Sequence, residues 1–165
     1  MNYLYSPWRE GYHGSKQEGC VFCDIAKHPE HDAENRVLYR NEFCFAVMNL
    51  YPYMPGHFML IPHIHTDSLE ALPPEVWQNI CLLTQRGVKM LKEFWNAAGV
   101  NIGMNLGVCG GAGIAEHIHM HLIPRFRGDT NFITTIGDSR VYGVKFDKVY
   151  EKLLTRSLDY FEGRL

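Results

Sequence analysis

Three histidines stand at alternate positions, His117, His119 and His121, in the run Glu116-His-Ile-His-Met-His-Leu-Ile-Pro-Arg125. The residues between them, Ile118, Met120 and Leu122, are apolar, so polarity alternates strictly, as in a half-buried strand. On a strand all three imidazoles leave from one face, roughly 6.5–7 Å apart. On a helix they would spread over more than half the circumference, with only His117 and His121 as neighbours. A neutral imidazole nitrogen can ligate a metal such as zinc or attack an electrophile. The plain alternative is a solvated strand face that carries histidines without chemistry.

The segment before the histidines favours a nucleophile. Four glycines fall among the seven residues from Gly107 to Gly113. Such a loop can turn backbone N–H groups toward an anion, and a Gly-rich connection without a ligand is the competing reading. Beside three imidazoles it suggests a phosphate held against a nitrogen nucleophile, with Asn105, Arg125 and Arg127 at the rim. A second cluster, Cys20-Val-Phe-Cys23, has the C-x-x-C spacing of half a structural zinc site. Two unpaired thiols are the alternative there.

These side chains need a frame. Residues 1–35, rich in Gly, His, Glu and Lys, read as an irregular arm and small cap carrying the cysteine pair, ahead of a main domain over 36–165. Residues 36–40 and 44–48 read as strands joined by a turn at Asn41-Glu42, and 57–62 as a short buried third strand. Between them, 51–56 holds two prolines and a glycine and reads as a loop. The spacing of Val76, Ile80, Leu83, Val88, Leu91, Phe94 and Trp95 predicts a helix from about Pro73 to Trp95. Pro74 fits its first turn. Residues 100–105 give a fourth strand and the histidine run a fifth, followed by a loop at 128–132 and a C-terminal helix near 146–160. The prediction is an α+β fold: a mostly antiparallel five-stranded sheet, one long helix and a C-terminal helix. Cys44 and Cys81, both in apolar runs, are expected as small core residues.

Composition narrows the class. A chain of 165 residues with 46% hydrophobic and 13% aromatic residues can bury a core and fits one domain with an appended segment. Sixteen basic against eighteen acidic residues, a net charge of −2, create no field that would draw the chain to nucleic acid. No apolar run is long enough to span a bilayer, and the first residues lack a signal-peptide layout, so no membrane partner is expected. Five cysteines, an odd number, argue for reduced thiols and a cytoplasmic location.

Several motifs occur in a telling order: Asn49 ahead of Leu-Tyr-Pro-Tyr-Met-Pro-Gly-His57, then Ile61-Pro-His-Ile-His65, Asn105-Leu-Gly107 and His117-Ile-His-Met-His-Leu-Ile123. In these the chain resembles the histidine triad (HIT) family of nucleotide hydrolases and transferases over about residues 20–135. The pieces Asn49-Leu-Tyr-Pro-Tyr53, Ala115-Glu-His117, Gly128-Asp-Thr-Asn-Phe132 and Ser6-Pro-Trp-Arg9 are similar to the family's bacterial diadenosine tetraphosphate phosphorylases. One departure stands out. The family's common Gly-Gln-Ser is replaced by Gly111-Ala-Gly113 in a loop one residue longer, so phosphate contacts there must come from backbone N–H groups or be absent.

The resemblance implies a HIT-like fold in which His119 attacks an α-phosphate and His121 donates to a phosphate oxygen, with His117 completing the triad. It implies substrate contacts from Asn49, Leu50, Tyr51, Asn105, Gly111, Gly113 and Asn131, although loop capping competes for Asn131. Phe45 joins Leu50 and Tyr51 as a wall for the base or packs in the core; His57 lies near the site or makes a structural hydrogen bond. Structural zinc would be completed by His65 and His117 beside Cys20 and Cys23, with His63 as the substitute for His65. The implied reaction is phosphorolysis of diadenosine tetraphosphate to ADP and ATP, with inorganic phosphate as acceptor. A hydrolase of dinucleoside polyphosphates or adenosine phosphoramidates shares the first step and stays open. A non-catalytic nucleotide-binding module is the alternative of another class. The resemblance also implies a homodimer with sheets side by side, or a higher homo-oligomer.

Overall fold

Neither Cys44-Phe-Ala-Val-Met48 nor Phe58-Met-Leu-Ile-Pro62 contains a charged residue, and every residue of both is buried. Such runs belong at the centre of a sheet covered on both faces. In the computed structural model, which describes residues 19–139 and 141–165, they are β2 and β3 of a five-stranded antiparallel sheet. With β1 (Val37–Arg40), β4 (Gly99–Gly103) and β5 (Met120–Arg125) the order is β1-β2-β3-β5-β4. The motif at residues 6–9 and His13 lie outside the described residues. No described helix is long and apolar enough to cross a membrane.

Side-chain alternation divides the sheet between two cores. Ala46, Met48, Phe58, Leu60 and Leu122 pack with the long helix α3 (Pro74–Glu93) and the C-terminal helix α5 (Phe146–Phe161). Phe45, Val47, Met59 and Ile61 face the other way, where α1 (Val21–Lys27) lays Phe22 and Ile25 over them. Phe45 is therefore a core residue, fully buried.

Helix α3 buries Val76, Ile80, Leu83, Thr84, Gly87, Met90 and Leu91 along one stripe. Cys81 falls one position past Ile80, on the solvent side, so it is exposed and not the core residue expected. Gly87 marks the closest approach of helix to sheet: a Cβ there would lie 2.9 Å from both Leu122 Cδ2 and Phe58 Cζ. Gly87→Ala is expected to lower unfolding stability by about 1–3 kcal/mol through overpacking. Urea titration tests this, and an unchanged midpoint would mean that helix and sheet separate freely.

Three short helices were not expected. Helix α1, together with the four-residue α2 (Asp32–Asn35), orders a segment read as irregular; seven residues are too few for periodicity to declare a helix. Helix α4 (Phe132–Gly137) begins in a stretch read as a loop, nucleated by a capping box in which Asn131 Oδ1 accepts from the Ile133 N–H. The histidine run also differs. Its ladder begins only at Met120, because β3 pairs no further than Leu60 with Met120, and the Ile118 N–H is taken by Thr66 O at 2.9 Å. His117 lies at a bend, and Ile118 and His119 precede the strand.

Candidate active site

The three imidazoles do leave from one face, the face covered by α1. Phe22 meets the rings of His117 and His119 at centroid distances of 5.6 and 5.2 Å, and the His119 and His121 rings are 4.9 Å apart. Their roles then diverge. His119 and His121 line a cleft of about 840 Å³. His117 is fully buried and turns the other way, with both nitrogens engaged. The sequence placed His117 in the catalytic group; here it has no nitrogen to offer a substrate.

His119 is held in one tautomer. Its Nδ1–H donates to the His117 carbonyl at 2.8 Å, which leaves Nε2 as the bare nitrogen. Burial lowers its pKa, only partly offset by that bond, which favours the neutral ring.

A fourth histidine orients His121. His57 Nδ1 accepts from the Tyr53 backbone N–H at 3.2 Å, so its proton resides on Nε2. That N–H donates to His121 Nδ1 at 2.9 Å, which in turn fixes the His121 proton on Nε2. The chain of bonds makes His121 a donor, complementary to the bare nitrogen of His119. Antiparallel pairing of β3 with β5, Met59 opposite His121, brings these rings together. The sequence left His57 between two roles because this register is a tertiary fact.

Burial, reinforced by the charge that His121 and His119 would carry, lowers the His57 pKa to about 3; burial and then His119 lower that of His121 to about 4. Between those values and the ordinary 6.5, the unfolded chain binds protons that the folded chain refuses. Stability is therefore complete above about pH 6.5 and is lost as pH falls toward 4 and 3. The expected slope is up to about 1.4 kcal/mol per pH unit for each ring. Urea unfolding across this range measures it; His57→Gln should shallow the slope, and an identical slope would assign the acid sensitivity elsewhere.

Asn49, Leu50, Tyr51, Asn105, Gly111 and Gly113 all line the cleft. Val47, Phe22, Ile25 and Ile114 supply apolar wall that the sequence did not assign. Within the glycine loop, Gly107 and Gly111 take φ of 70° and 87°, the left-handed region that favours glycine. The N–H groups of Gly110, Gly111 and Ala112 bond back to Gly107 and Val108 carbonyls, and Asn105 Nδ2 donates to Gly111 O at 3.2 Å. The loop thus uses much of its donor capacity on its own shape, and Gly113 is the loop residue at the cleft wall without such a bond among the described residues.

Two expectations about polar contacts are corrected. Asn131 does not line the cleft, because its side chain caps α4. Arg125 is turned from the rim: its Nε and Nη2 bond Asp129 at 2.7 and 3.0 Å, and its Nη1 bonds Asn101. Asp129 is thereby explained as a structural partner.

On the far side of His117 lies the second cluster. The ligand atoms of Cys20, Cys23, His65 and His117 are all within 4.8 Å of one another. Cys20 Sγ is 3.3 Å and Cys23 Sγ 3.7 Å from His117 Nδ1, and Cys23 Sγ is 3.1 Å from His65 Nδ1. Tetrahedral zinc, with bonds of about 2.3 Å to sulfur and 2.0–2.1 Å to nitrogen, would set such pairs about 3.5 Å apart. His117 Nε2–H donates to Pro62 O at 2.9 Å, so Nδ1 is the unprotonated nitrogen a metal requires. The donor set therefore fits a metal ion. His63 does not compete, since its Nε2–H bonds Asn41 O and its ring stacks on Phe45.

Known proteins resemble this chain in sequence and fold over most of its length. The family model described as HIT domain matches residues 30–128. An "AP-4-A phosphorylase" of Mycobacterium tuberculosis is 38% identical over 142 residues, 86% of this chain and 72% of the relative. An asymmetrical bis(5'-nucleosyl)-tetraphosphatase of Schizosaccharomyces pombe is 30% identical over 95 residues, 58% of this chain and 52% of its own. The crystal structure of a zinc-bound histidine triad family protein from Mycobacterium smegmatis superposes with a TM-score of 0.70 at 28% identity, covering 89% of this chain and 98% of that one. With a family model over more than half its length and a close relative over most of it, the chain belongs to the histidine triad (HIT) family of enzymes.

Proposed function

We propose that the protein transfers a nucleotidyl group through a covalent nucleotidyl-His119 intermediate, acting on diadenosine tetraphosphate with inorganic phosphate as acceptor. The observation that carries this reading is the tautomer of His119: Nδ1–H committed to the His117 carbonyl, Nε2 bare in a cleft walled by Gly113 and His121. In the first step Nε2 attacks the α-phosphorus beside one adenosine. The P–N bond forms as the bond to the bridging oxygen breaks, and ATP leaves. In the second an oxygen of inorganic phosphate attacks the same phosphorus, the P–N bond breaks, and ADP departs with His119 restored to its neutral form. Splitting one displacement into two is what a nucleophilic side chain contributes.

Other residues take supporting roles. His121 Nε2–H donates to a non-bridging oxygen or to the departing one, held in that tautomer by His57. The Gly113 N–H adds a second donor where charge develops. Leu50, Val47, Phe22 and Ile25 receive the base, and Asn49 meets the ribose. The name of the Mycobacterium tuberculosis relative supports phosphorolysis, and that of the Schizosaccharomyces pombe relative supports hydrolysis of the same bond class. Incubation with diadenosine tetraphosphate, with and without phosphate, separates them. ADP and ATP formed only with phosphate support the proposal; AMP and ATP formed without it make the protein a hydrolase; binding without products leaves a nucleotide-binding module.

Two further assignments go with this reading. The cluster Cys20, Cys23, His65 and His117 holds structural zinc, which would tie α1 to the start of the histidine run; the zinc-bound relative supports the choice of metal. The protein is a homodimer joined through β4. Edge β1 is covered by α5, whose Tyr150 and Ser157 hydroxyls donate to Val37 O and Leu38 O, whereas β4 is the other edge and exposes Ile102. Light scattering that returned a monomer mass would remove the dimer. All five cysteines are free, which suits a reducing cytoplasm.

A further inference from the structure

The catalytic cleft does not end at its own wall. Beyond Leu50 and Tyr51 lies a second cavity of about 400 Å³, lined by Leu50, Tyr51, Pro52, Tyr142 and Phe146. Leu50, Tyr51 and Phe146 line both spaces, so the two are contiguous across that ridge. None of the five side chains is charged, so the cavity has nothing to neutralise a phosphate. It offers aromatic rings and aliphatic surface, the chemistry that receives a flat, uncharged heterocycle by stacking. Its volume lies in the range of small-molecule sites. Leu50, 64% exposed, lines both spaces and has no core of its own to enter. On the opposite side Tyr142 lies in the connection leading into α5, and Phe146, the first residue of that helix, is packed against the main core. The wall is thus anchored to the fold.

A mononucleotide held beside His119 would leave this cavity empty, whereas a dinucleoside polyphosphate carries a second base for which an uncharged, aromatic space is needed. We propose that the cavity walled by Tyr51, Tyr142 and Phe146 binds the second nucleobase of the substrate, the one that departs with the leaving polyphosphate. This rests on the dinucleotide reading above and names Tyr142 as a residue that selects dinucleotides over mononucleotides.

The test compares two ligands with equal phosphate counts, diadenosine tetraphosphate and adenosine 5'-tetraphosphate. Both are titrated calorimetrically into His119→Ala protein so that neither is consumed. The dinucleotide should bind about tenfold tighter, the increment expected for one stacked base. Adding Tyr142→Ala should erase that preference without changing adenosine tetraphosphate binding, and Tyr142→Phe should retain it. Equal affinities in the parent would overturn the proposal without any Tyr142 variant. So would a preference that survives Tyr142→Ala, or an equal loss for both ligands, which would place Tyr142 beside the first base or in the fold. Binding of neither ligand would instead refute the nucleotide site itself.

Discussion

His119→Ala should lower turnover of diadenosine tetraphosphate by more than about a thousandfold, because no neighbouring group can replace the nucleophile. His117 has Nε2 bonded to Pro62 O and Nδ1 among the cysteine sulfurs. His121 has Nδ1 occupied by the proton from His57, so the nitrogen it presents is a donor. The apolar wall that would hold the base is untouched by the change, so affinity for adenosine nucleotides should survive, read by calorimetry on the same protein. His121→Ala should cost less, about a hundredfold, since it removes one donor and leaves the attack possible. Rapid acid quench of the wild-type protein should leave a nucleotidyl adduct, found by mass spectrometry on the peptide containing His119 and absent from His119→Ala. Turnover of His119→Ala within tenfold of wild type would strip His119 of the nucleophile's role.

How much of this arrangement could be read from the chain depended on whether a signal was local. Alternation of histidine with Ile118, Met120 and Leu122 is a local pattern, and it correctly placed three rings on one face although the ladder starts only at Met120. The stripe of α3 was equally legible, apart from Cys81, which lies one position off a buried residue. Facts that depend on register were not legible. Nothing in the sequence joins His57 to His121; their contact follows from the pairing of Phe58 with Leu122. Nor does composition say that Arg125 turns to Asp129 and leaves the cleft, since both uses suit an arginine. Short helices were missed for a different reason. Helix α1 is stabilised by Phe22 and Ile25 meeting the sheet, a tertiary contribution that a seven-residue window cannot display. Of the two roles open to Asn131, capping is the one the structure shows; with Thr134 in place of Glu or Gln three residues on, the sequence lacks the usual signature of a capping box.

Cys20→Ser and Cys23→Ser should each lose bound zinc and lower unfolding stability by about 3–5 kcal/mol, less than the 10–16 kcal/mol of zinc binding to a peptide that is unfolded without it. The difference has a structural source. Here the core between the sheet, α3 and α5 contains none of the four cluster residues, so a bound metal would not create the fold. What zinc would add is cross-linking over long loops, because Cys20 meets His117 across 97 residues and Cys23 meets His65 across 42. The loss should be concentrated in α1, whose Phe22 packs on the rings of His117 and His119. Hydrogen exchange should therefore quicken in residues 21–27 before it does in β2 or β3. Turnover should fall about tenfold as His119 loses that support, far short of the loss on removing the nucleophile. His63→Ala should keep its metal, since His63 is bonded to Asn41 O instead. The wild-type protein, washed with chelator, should retain about one zinc per chain, and less than about one tenth of an equivalent would refute the site.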